Sequence, residues 1–559
     1  MNKIVRIVLL GIALALLLAL VGGVSAQAAT KTLITGVGMI NGDPESLDPG
    51  LGQSTQEIQT INELFIGLTV LDETTAEVKP GIAESWDVSK DGKTYTFHLM
   101  KNIPWVHYNA DSGAVEQVMD DNGKPRMVTA NDVVWAWKRN LDPATASPYT
   151  YVVAPYVVGG SAFNSGKGSA DALGIKAVDD NTVEITSPTP AAFLPNIYGM
   201  WFNRPLPQWA IEAGGSAWTE PENINTYGPF AFKEWKHDES VTLIKNPFWT
   251  GTADVPQPKL DEVTIRFLDQ ETQFAEYQAG TMDAISVPIS QITAVKADPV
   301  LSKEYSNGAQ DCTYYYGFNN TKPPFDNVHM RLAFSYAIDR QSIVDNVTKG
   351  GQIPARWYTR PGNTGAPPLD AKLGISFDPQ KAKDELALAM KDMKITDVAD
   401  IPHITLAFGN NPAHNAIAQA IAKMWQDTLG IQVGLSAMDT TTYFTLQRQD
   451  ANQIFRAGWC DDYPDADNFL NVTMHTGADQ NYGKFSDKAF DKLVEQAAVE
   501  TDPAKRADMY AQAENILVVQ DAGLAPIYWY VTNQLTKPNI ERTYSVDGLE
   551  SYEKWDFKA

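Results

Sequence analysis

Apolar and polar positions alternate most clearly between residues 81 and 99, where Trp86 and Val88, then Tyr95, Phe97 and Leu99, recur at every second position around Asp91-Gly92. A period of two places such side chains on one face of a strand, and Asp-Gly suits a tight turn, so a β-hairpin is predicted here. Short apolar runs predict further strands over residues 31–37, 404–408, 431–435 and 525–531, the last one aromatic and buried. Helices are predicted over 56–65, from Asp378-Pro379 to about 390, over 413–429 and over 502–520. Asp378 is a good N-cap and Pro379 a good first helical residue. Gly430 stops the third of these helices, and Gly523 closes the fourth. Helix and strand alternate through this half of the chain, a rhythm that belongs to α/β folds. The stretch from Asp43-Pro44 to Asp48-Pro49 reads as a loop. No internal repeat is visible, and the only linker-like stretch is the small-residue segment 161–170.

At 559 residues the chain is longer than one hydrophobic core usually serves, so several domains are expected. The net charge of -24 argues against nucleic acid, which requires a basic face. Residues 1–28 read as a secretory signal: Lys3 and Arg6 precede an apolar run over 7–21, and Val24-Ser25-Ala26 or Ala26-Gln27-Ala28 offers a cleavage site. The alternative is an uncleaved anchor. No cysteine follows the run to accept a lipid, and no later stretch is apolar for long enough to span a bilayer. A periplasmic or other extracytoplasmic location follows as the expectation, without lipid attachment. The two cysteines, Cys312 and Cys460, favour a disulfide in an exported chain, with two buried free thiols as the alternative.

Candidate chemistry concentrates where an apolar run ends in Arg456-Ala457-Gly458-Trp459-Cys460-Asp461-Asp462-Tyr463. Gly458 lets another backbone approach, Trp459 offers a flat apolar wall and Asp462 a fixed negative charge. Together these suit a peptide-like ligand with a cationic end. The plainer alternative is a strand end followed by a solvated acidic loop. Nothing points to catalysis: there is no G-x-S-x-G elbow, P-loop, G-x-G-x-x-G after a strand, or H-E-x-x-H, and the seven histidines are scattered. A calcium loop starting at Asp465 lacks the glycine at its sixth position and the glutamate at its twelfth. No metal, cofactor or enzymatic activity is therefore expected.

Several segments resemble one family. They are 81–99, Thr129-Ala130-Asn131-Asp132-Val133-Val134-Trp135 with Asp142-Pro143-Ala144-Thr145, Leu173-Gly174-Ile175-Lys176, Tyr227-Gly228-Pro229-Phe230 with Lys245-Asn246-Pro247, and Tyr336-Ala337-Ile338-Asp339-Arg340. Their order is that of the periplasmic oligopeptide-binding proteins of ABC importers, in solute-binding protein family 5, cluster C. Cys312-Thr313-Tyr314-Tyr315-Tyr316, Lys322-Pro323-Pro324-Phe325 and 456–463 are the segments most similar to the oligopeptide-binding members. Between Trp105 and Thr129 the family has a tight turn, whereas residues 107–126 here are expected to form a longer polar surface loop.

The resemblance implies an α/β fold of the periplasmic-binding-protein type II kind: two lobes with an extra inserted domain, built of mixed sheets flanked by helices. Lobe I is expected to comprise 29–65, 205–311 and 532–559, the inserted domain 66–204, and lobe II 312–531, with crossings near Cys312 and Thr532. It further implies that short peptides are captured between closing lobes and passed to the membrane subunits of an ABC importer by a monomeric carrier. Carried over residue by residue, Asp462 meets the ligand's α-amino group, while Gly458 and Cys460 bond its main chain. Trp459, Tyr315 and Tyr149 match aromatic pocket residues. His414, Arg448 and Arg456 match residues that meet a terminal carboxylate at different peptide lengths, Arg456 being alternatively a partner for Asp461 or Asp465. Gln53 stands where a glutamate is usual and Ser54 where a glycine is usual, on a ligand-facing loop completed by Thr55. Ala284, Ile285 and Ser286 replace polar and aromatic positions. An oligosaccharide, a nickel complex or a signalling peptide remains an alternative cargo, and a chaperone-like binder of unfolded segments an alternative role.

Overall fold

Two long antiparallel strands, Tyr305–Phe318 and Leu524–Thr536, form the spine of the computed structural model, which describes residues 30–36 and 43–558. The expected signal segment lies outside the described residues. An eleven-stranded mixed sheet grows from both flanks of this pair. On one flank Ala284–Ser286 pairs with the 534–536 end, followed by Thr32–Thr35, Glu262–Arg266, Ser240–Lys245 and Phe230–Lys236. On the other flank Ile454–Cys460 pairs with the 312–318 end, followed by Ile404–Gly409 and Val433–Met438. Each long strand therefore serves one half of the sheet with one end and the other half with its opposite end. Two register shifts interrupt their pairing, between Ala309 and Thr313 and between Tyr314 and Tyr315, and such irregularities bend and twist a ladder.

The β period decides how the cores form. Tyr314, Tyr316 and Phe318 enter one buried cluster with Phe334, Ile417, Trp425 and Ile454. Tyr315, one residue out of phase, enters another on the opposite side with Phe455, Phe469 and Trp529. A third, larger cluster joins Leu33 and Val263 to Phe97, Trp137 and Ile185 and to Trp555 near the C-terminus. The separate four-stranded antiparallel sheet, built from Ala83–Val88, Thr94–Leu99, Thr182–Thr186 and Ile175–Asp179, thus shares its apolar interior with the first half of the main sheet.

Local signals account for most helix bounds. Ser54 caps Thr55–Leu64 in a box with Glu57, and Thr129 and Asp132 form the same box at Ala130–Leu141. Asp378 caps Pro379–Met393, and Asn411 caps Pro412–Leu429, which ends at Gly430. The helix expected over 502–520 is Pro503–Glu514 continued by a π-helical stretch, Asn515–Gln520. The strand expected over 431–435 is Val433–Met438, and that over 525–531 runs on to Thr536.

One expectation is corrected. Residues 107–126 are not simply a polar loop, because Val106–Asn109 and Ala114–Gln117 form a hairpin turned at Gly113, with φ +68°. Val115 gives it an anchor, packing with Val106 and Ala231 in a small core of its own. A four-residue strand bearing one buried side chain is too short to leave a visible alternation.

Candidate functional site

The strand Ile454–Cys460 is paired along its whole length on one edge only. There it runs antiparallel to 312–318, from Phe318↔Ile454 to Cys312↔Cys460. On its other edge Ile404–Gly409 reaches only Ile454 and Phe455. Beyond that point the Arg456 carbonyl accepts from Tyr443 Oη and from Gln447 Nε2 at 3.3 Å. Backbone groups of alternate strand residues share an edge, so Gly458 and Cys460 turn theirs the same way, toward no neighbouring strand. Asp461 confirms the phase: its N–H points back to the Asp311 carbonyl at 3.2 Å. Gly458 and Cys460 are exposed, and the Cys312–Cys460 disulfide ties this open edge to the long strand.

Asp462 follows directly and is held by its own hydrogen bonds. Asn468 donates to its Oδ2 at 3.1 Å and accepts from its backbone N–H at 3.1 Å, while also accepting from Trp459 Nε1 at 2.8 Å. Tyr151 Oη donates to the same Oδ2 at 3.4 Å from the far side of the cleft. Burial pushes the Asp462 carboxyl up to about 7, against the lowering effect of these two donors. Asn468 and Tyr151 were not singled out by sequence. Asn468 stands in the first turn of Ala466–Met474, whose N-cap is Asp465, and that capping pattern was its only sequence-level trace.

The acidic run around Asp462 is not a solvated loop. Asp465, 1% exposed, takes both Arg506 nitrogens at 2.8 and 2.6 Å. Asp467 accepts from Tyr463 Oη at 2.8 Å, and Asp461 from Asn363 Nδ2 at 3.1 Å. Arg456 pairs with neither Asp461 nor Asp465. Its guanidinium lies 4.6 Å over the Tyr314 ring, and Nη2 donates to Tyr530 Oη at 2.6 Å. Its Nε has no hydrogen-bond partner among the described residues.

A cavity of about 370 Å³ faces this segment. Gln53, Thr55 and Tyr149 line one wall with Trp201, and Trp459, Cys460 and Asp462 line the other. Tyr149 packs edge-on to Trp201 at 4.7 Å and beside Tyr151 at 5.8 Å. The remaining sequence candidates stand elsewhere. Ser54 caps its helix, Tyr315 is 4% exposed against Tyr358, and Arg448 is exposed on the last turn of Thr440–Asp450. His414 lies 3.4 Å from Tyr314 Oη, and burial together with the nearby Arg456 lowers its pKa to about 2, so the ring is neutral. It can hydrogen-bond a carboxylate but offers it no charge. Further contacts bridge the walls besides Tyr151, among them Phe193, which stacks on Tyr463 at 5.1 Å, and Arg506, which lies 5.7 Å over Phe193.

The family model for bacterial extracellular solute-binding proteins, family 5 (middle), matches residues 77–481. The chain is 33% identical over 514 residues to the oligopeptide-binding protein OppA of Bacillus subtilis, covering 90% of this chain and 88% of that one. It is 32% identical over 530 residues to the periplasmic oligopeptide-binding protein OppA of Escherichia coli, covering 94% and 92%. Among solved structures, the Escherichia coli murein tripeptide binding protein MppA superposes with a TM-score of 0.79 at 28% identity, over 95% of this chain and 99% of that one. An unliganded open form of MppA superposes less well, at 0.71, with 28% identity over 95% and 98% of the two chains. No helix among the described residues is long and apolar enough to cross a membrane. The open-edged strand, its facing cavity and these likenesses agree, and the chain belongs to the bacterial extracellular solute-binding proteins of family 5.

Proposed function

We propose that this protein captures short peptides in the cavity and delivers them to the membrane subunits of an ABC-type importer, acting as a monomeric carrier and not as an enzyme. The observation that carries the reading is the strand edge left open at Gly458 and Cys460, ending at Asp462. An extended peptide laid along it gains main-chain hydrogen bonds at Gly458 and Cys460 without having its side chains read, which suits a carrier of varied cargo. Its α-amino group then meets Asp462, while Trp459 and Tyr149 cover its first side chains. Gln53 and Thr55 form the opposite wall. Arg456, cationic and without a carboxylate partner among the described residues, serves the other terminus of a short ligand, with neutral His414 beside it as a hydrogen-bonding group. Arg448 and Tyr315 do not line the cavity.

The lobes divide near 311 and 532, where the two long strands pass from one half of the sheet to the other. Residues 66–204 form the inserted domain. The poorer superposition on an open form, and the contacts of Tyr151 with Asp462 and Phe193 with Tyr463, fit a closed arrangement. A ligand touching both walls shifts the population toward it. Export by cleavage after Ala26 or Ala28, without lipid attachment, places the carrier outside the cytoplasm.

Native mass spectrometry and calorimetry with alanine peptides of two to five residues test this reading. One saturable site per chain is expected, with a smaller radius of gyration when loaded. Absence of any peptide binding at millimolar concentration, with a non-peptide ligand co-purifying, refutes it.

A further inference from the structure

Asn468 is fully buried, and both ends of its amide are spent on residues that line the cavity. Its Oδ1 accepts from the Asp462 N–H at 3.1 Å and from Trp459 Nε1 at 2.8 Å, while its Nδ2 donates to Asp462 Oδ2 at 3.1 Å. A main-chain N–H and an indole N–H can only donate, so both must meet the amide oxygen, and the amide nitrogen is thereby turned toward the Asp462 carboxylate. One side chain grips Asp462 at its backbone and at its carboxylate, and holds the Trp459 ring as well.

The grip leaves a definite atom for a ligand. Asn468 and, at 3.4 Å, Tyr151 Oη both address Oδ2 of Asp462. Oδ1 accepts from none of the described residues, yet it is not enclosed by them, and Asp462 lines the cavity. Glu63, another of the carboxyls lining the cavity, shows the contrast: its Oε1 accepts from the Tyr552 N–H at 2.9 Å, and its Oε2, without a partner, is enclosed.

The residue that does the gripping is itself locked. Asn468 stands in the first turn of the helix Ala466–Met474, whose N-cap Asp465 takes both Arg506 nitrogens. The next two residues, Phe469 and Leu470, are fully buried in the core that holds Phe455 and Trp529. A binding group keeps a precise orientation when its supporting side chain is fixed by packing and hydrogen bonds in this way.

We propose that Asn468 is the positioning residue of the amino-end site: through Asp462 it presents Oδ1 to the ligand's α-amino group, and through Trp459 it sets the wall beside that group. This role rests on the peptide-carrier reading above and makes the anchor directional. Being fully enclosed, Asn468 does not touch the ligand itself.

Calorimetry at pH 7 with Ala-Ala-Ala and N-acetyl-Ala-Ala-Ala, on the unmodified protein and on Asn468→Ala, tests the role. The variant is expected to bind the free-amino peptide at least tenfold more weakly and the acetylated one less than threefold more weakly. In an Asp462→Asn background the same substitution should cost the free-amino peptide less than threefold, because the residue through which it acts is already gone. Proton release separates positioning from general loosening. The titratable groups around Asp462 are Asp461 beside it and Tyr149, Tyr151 and Tyr482, whose hydroxyls burial raises, so that all three stay protonated. With Asp461→Asn present throughout, to keep that neighbour out of the count, binding should release about half a proton from a carboxyl titrating near 7. Adding Asn468→Ala removes a donor that lowers this value, so the release should approach a whole proton.

Equal losses for the two peptides, an unchanged affinity for the free-amino peptide or an unchanged proton release each overturn the positioning role and leave the carrier reading standing. Asn468→Ser, measured in the same way, serves if the alanine variant does not fold; failure of both to fold makes Asn468 a folding residue and overturns the role as well. If neither peptide binds the unmodified protein, the carrier reading itself fails, and the role with it.

Discussion

Replacing Asp462 by asparagine tests the proposed anchor with the least change of shape. Asp462 accepts from Asn468 and Tyr151, and burial holds its carboxyl at about 7. Truncating one member of a buried, hydrogen-bonded charge pair costs about 2 to 5 kcal/mol in complexes, so Asp462→Asn should weaken a free-amino alanine tripeptide by roughly 30-fold to several thousandfold. N-acetylating the peptide should cost the unmodified protein a similar factor, and the two changes together should be far from additive. Asp461→Asn is the control with this neutral peptide, because its backbone points to the opposite edge.

The raised value also gives a pH signature. At pH 6 a carboxyl titrating near 7 is about nine-tenths protonated, so meeting an ammonium should release close to one proton. Affinity should therefore rise about tenfold per unit from pH 5 to 7, flatten, and fall above about pH 8 as the peptide's own α-amino group deprotonates. Calorimetry in buffers of different ionisation enthalpy measures the release, and Asp462→Asn should abolish it. For the empty protein the sign is opposite. A carboxyl raised on folding favours the folded state below its unfolded value near 4, and this contribution is lost as pH rises toward 7. The asparagine variant should thus unfold no earlier than the parent at pH 8, which separates lost binding from lost folding. Unchanged affinity in Asp462→Asn, or a pH-independent affinity between 5 and 7, would show that no ammonium sits there.

Removing both cysteines as Cys312→Ser and Cys460→Ser opens a loop of 148 residues, for which chain entropy gives an upper figure of about 5 kcal/mol; a lower unfolding midpoint in urea is expected, and an unchanged one would refute the constraint. Gly458→Val should keep the fold, since β-branched residues suit strands and the two tightest neighbours of the added Cβ are side-chain ends, Arg456 Nη2 at 3.1 Å and Tyr530 Oη at 3.3 Å, with the Thr313 carbonyl at an ordinary 3.5 Å. It should nonetheless cut peptide affinity at least tenfold by standing where the ligand backbone approaches, and calorimetry beside a melting curve checks both halves. Asp465→Ala leaves Arg506 buried without its carboxylate and should destabilise the protein by about 3 to 5 kcal/mol; a loss below 1 kcal/mol in urea unfolding would contradict the pairing.

Local chemistry determined much of this molecule from sequence. Asp378-Pro379 starts one predicted helix and Gly430 stops another within one or two residues of where they stand, because caps satisfy backbone groups that have no other partner; Asn411 and the Thr129 to Asp132 box do the same at helix starts that the sequence reading did not name. The Asp91-Gly92 hairpin was legible for the same reason, its turn requiring the φ of +69° found at Gly92. The segment 456–463 also announced itself through residue types unusual at a strand end. What the chain could not announce were partners distant along it. Arg506 meets Asp465 across 41 positions, Tyr151 meets Asp462 across 311, and the Tyr552 N–H meets Glu63 across 489. Arg456 stood next to four aspartates in sequence yet rests on tyrosines from two other strands, since a β-strand sends neighbouring side chains to opposite faces. Alternation shows that Tyr314 and Tyr315 part company, but only the packing of whole helices against each face sets which side each enters. The cavity's acidic lining belongs to that level too: helix 55–64, strand 454–460 and the C-terminal segment create it only by meeting, and burial then gives the carboxyls the chemistry that none has alone.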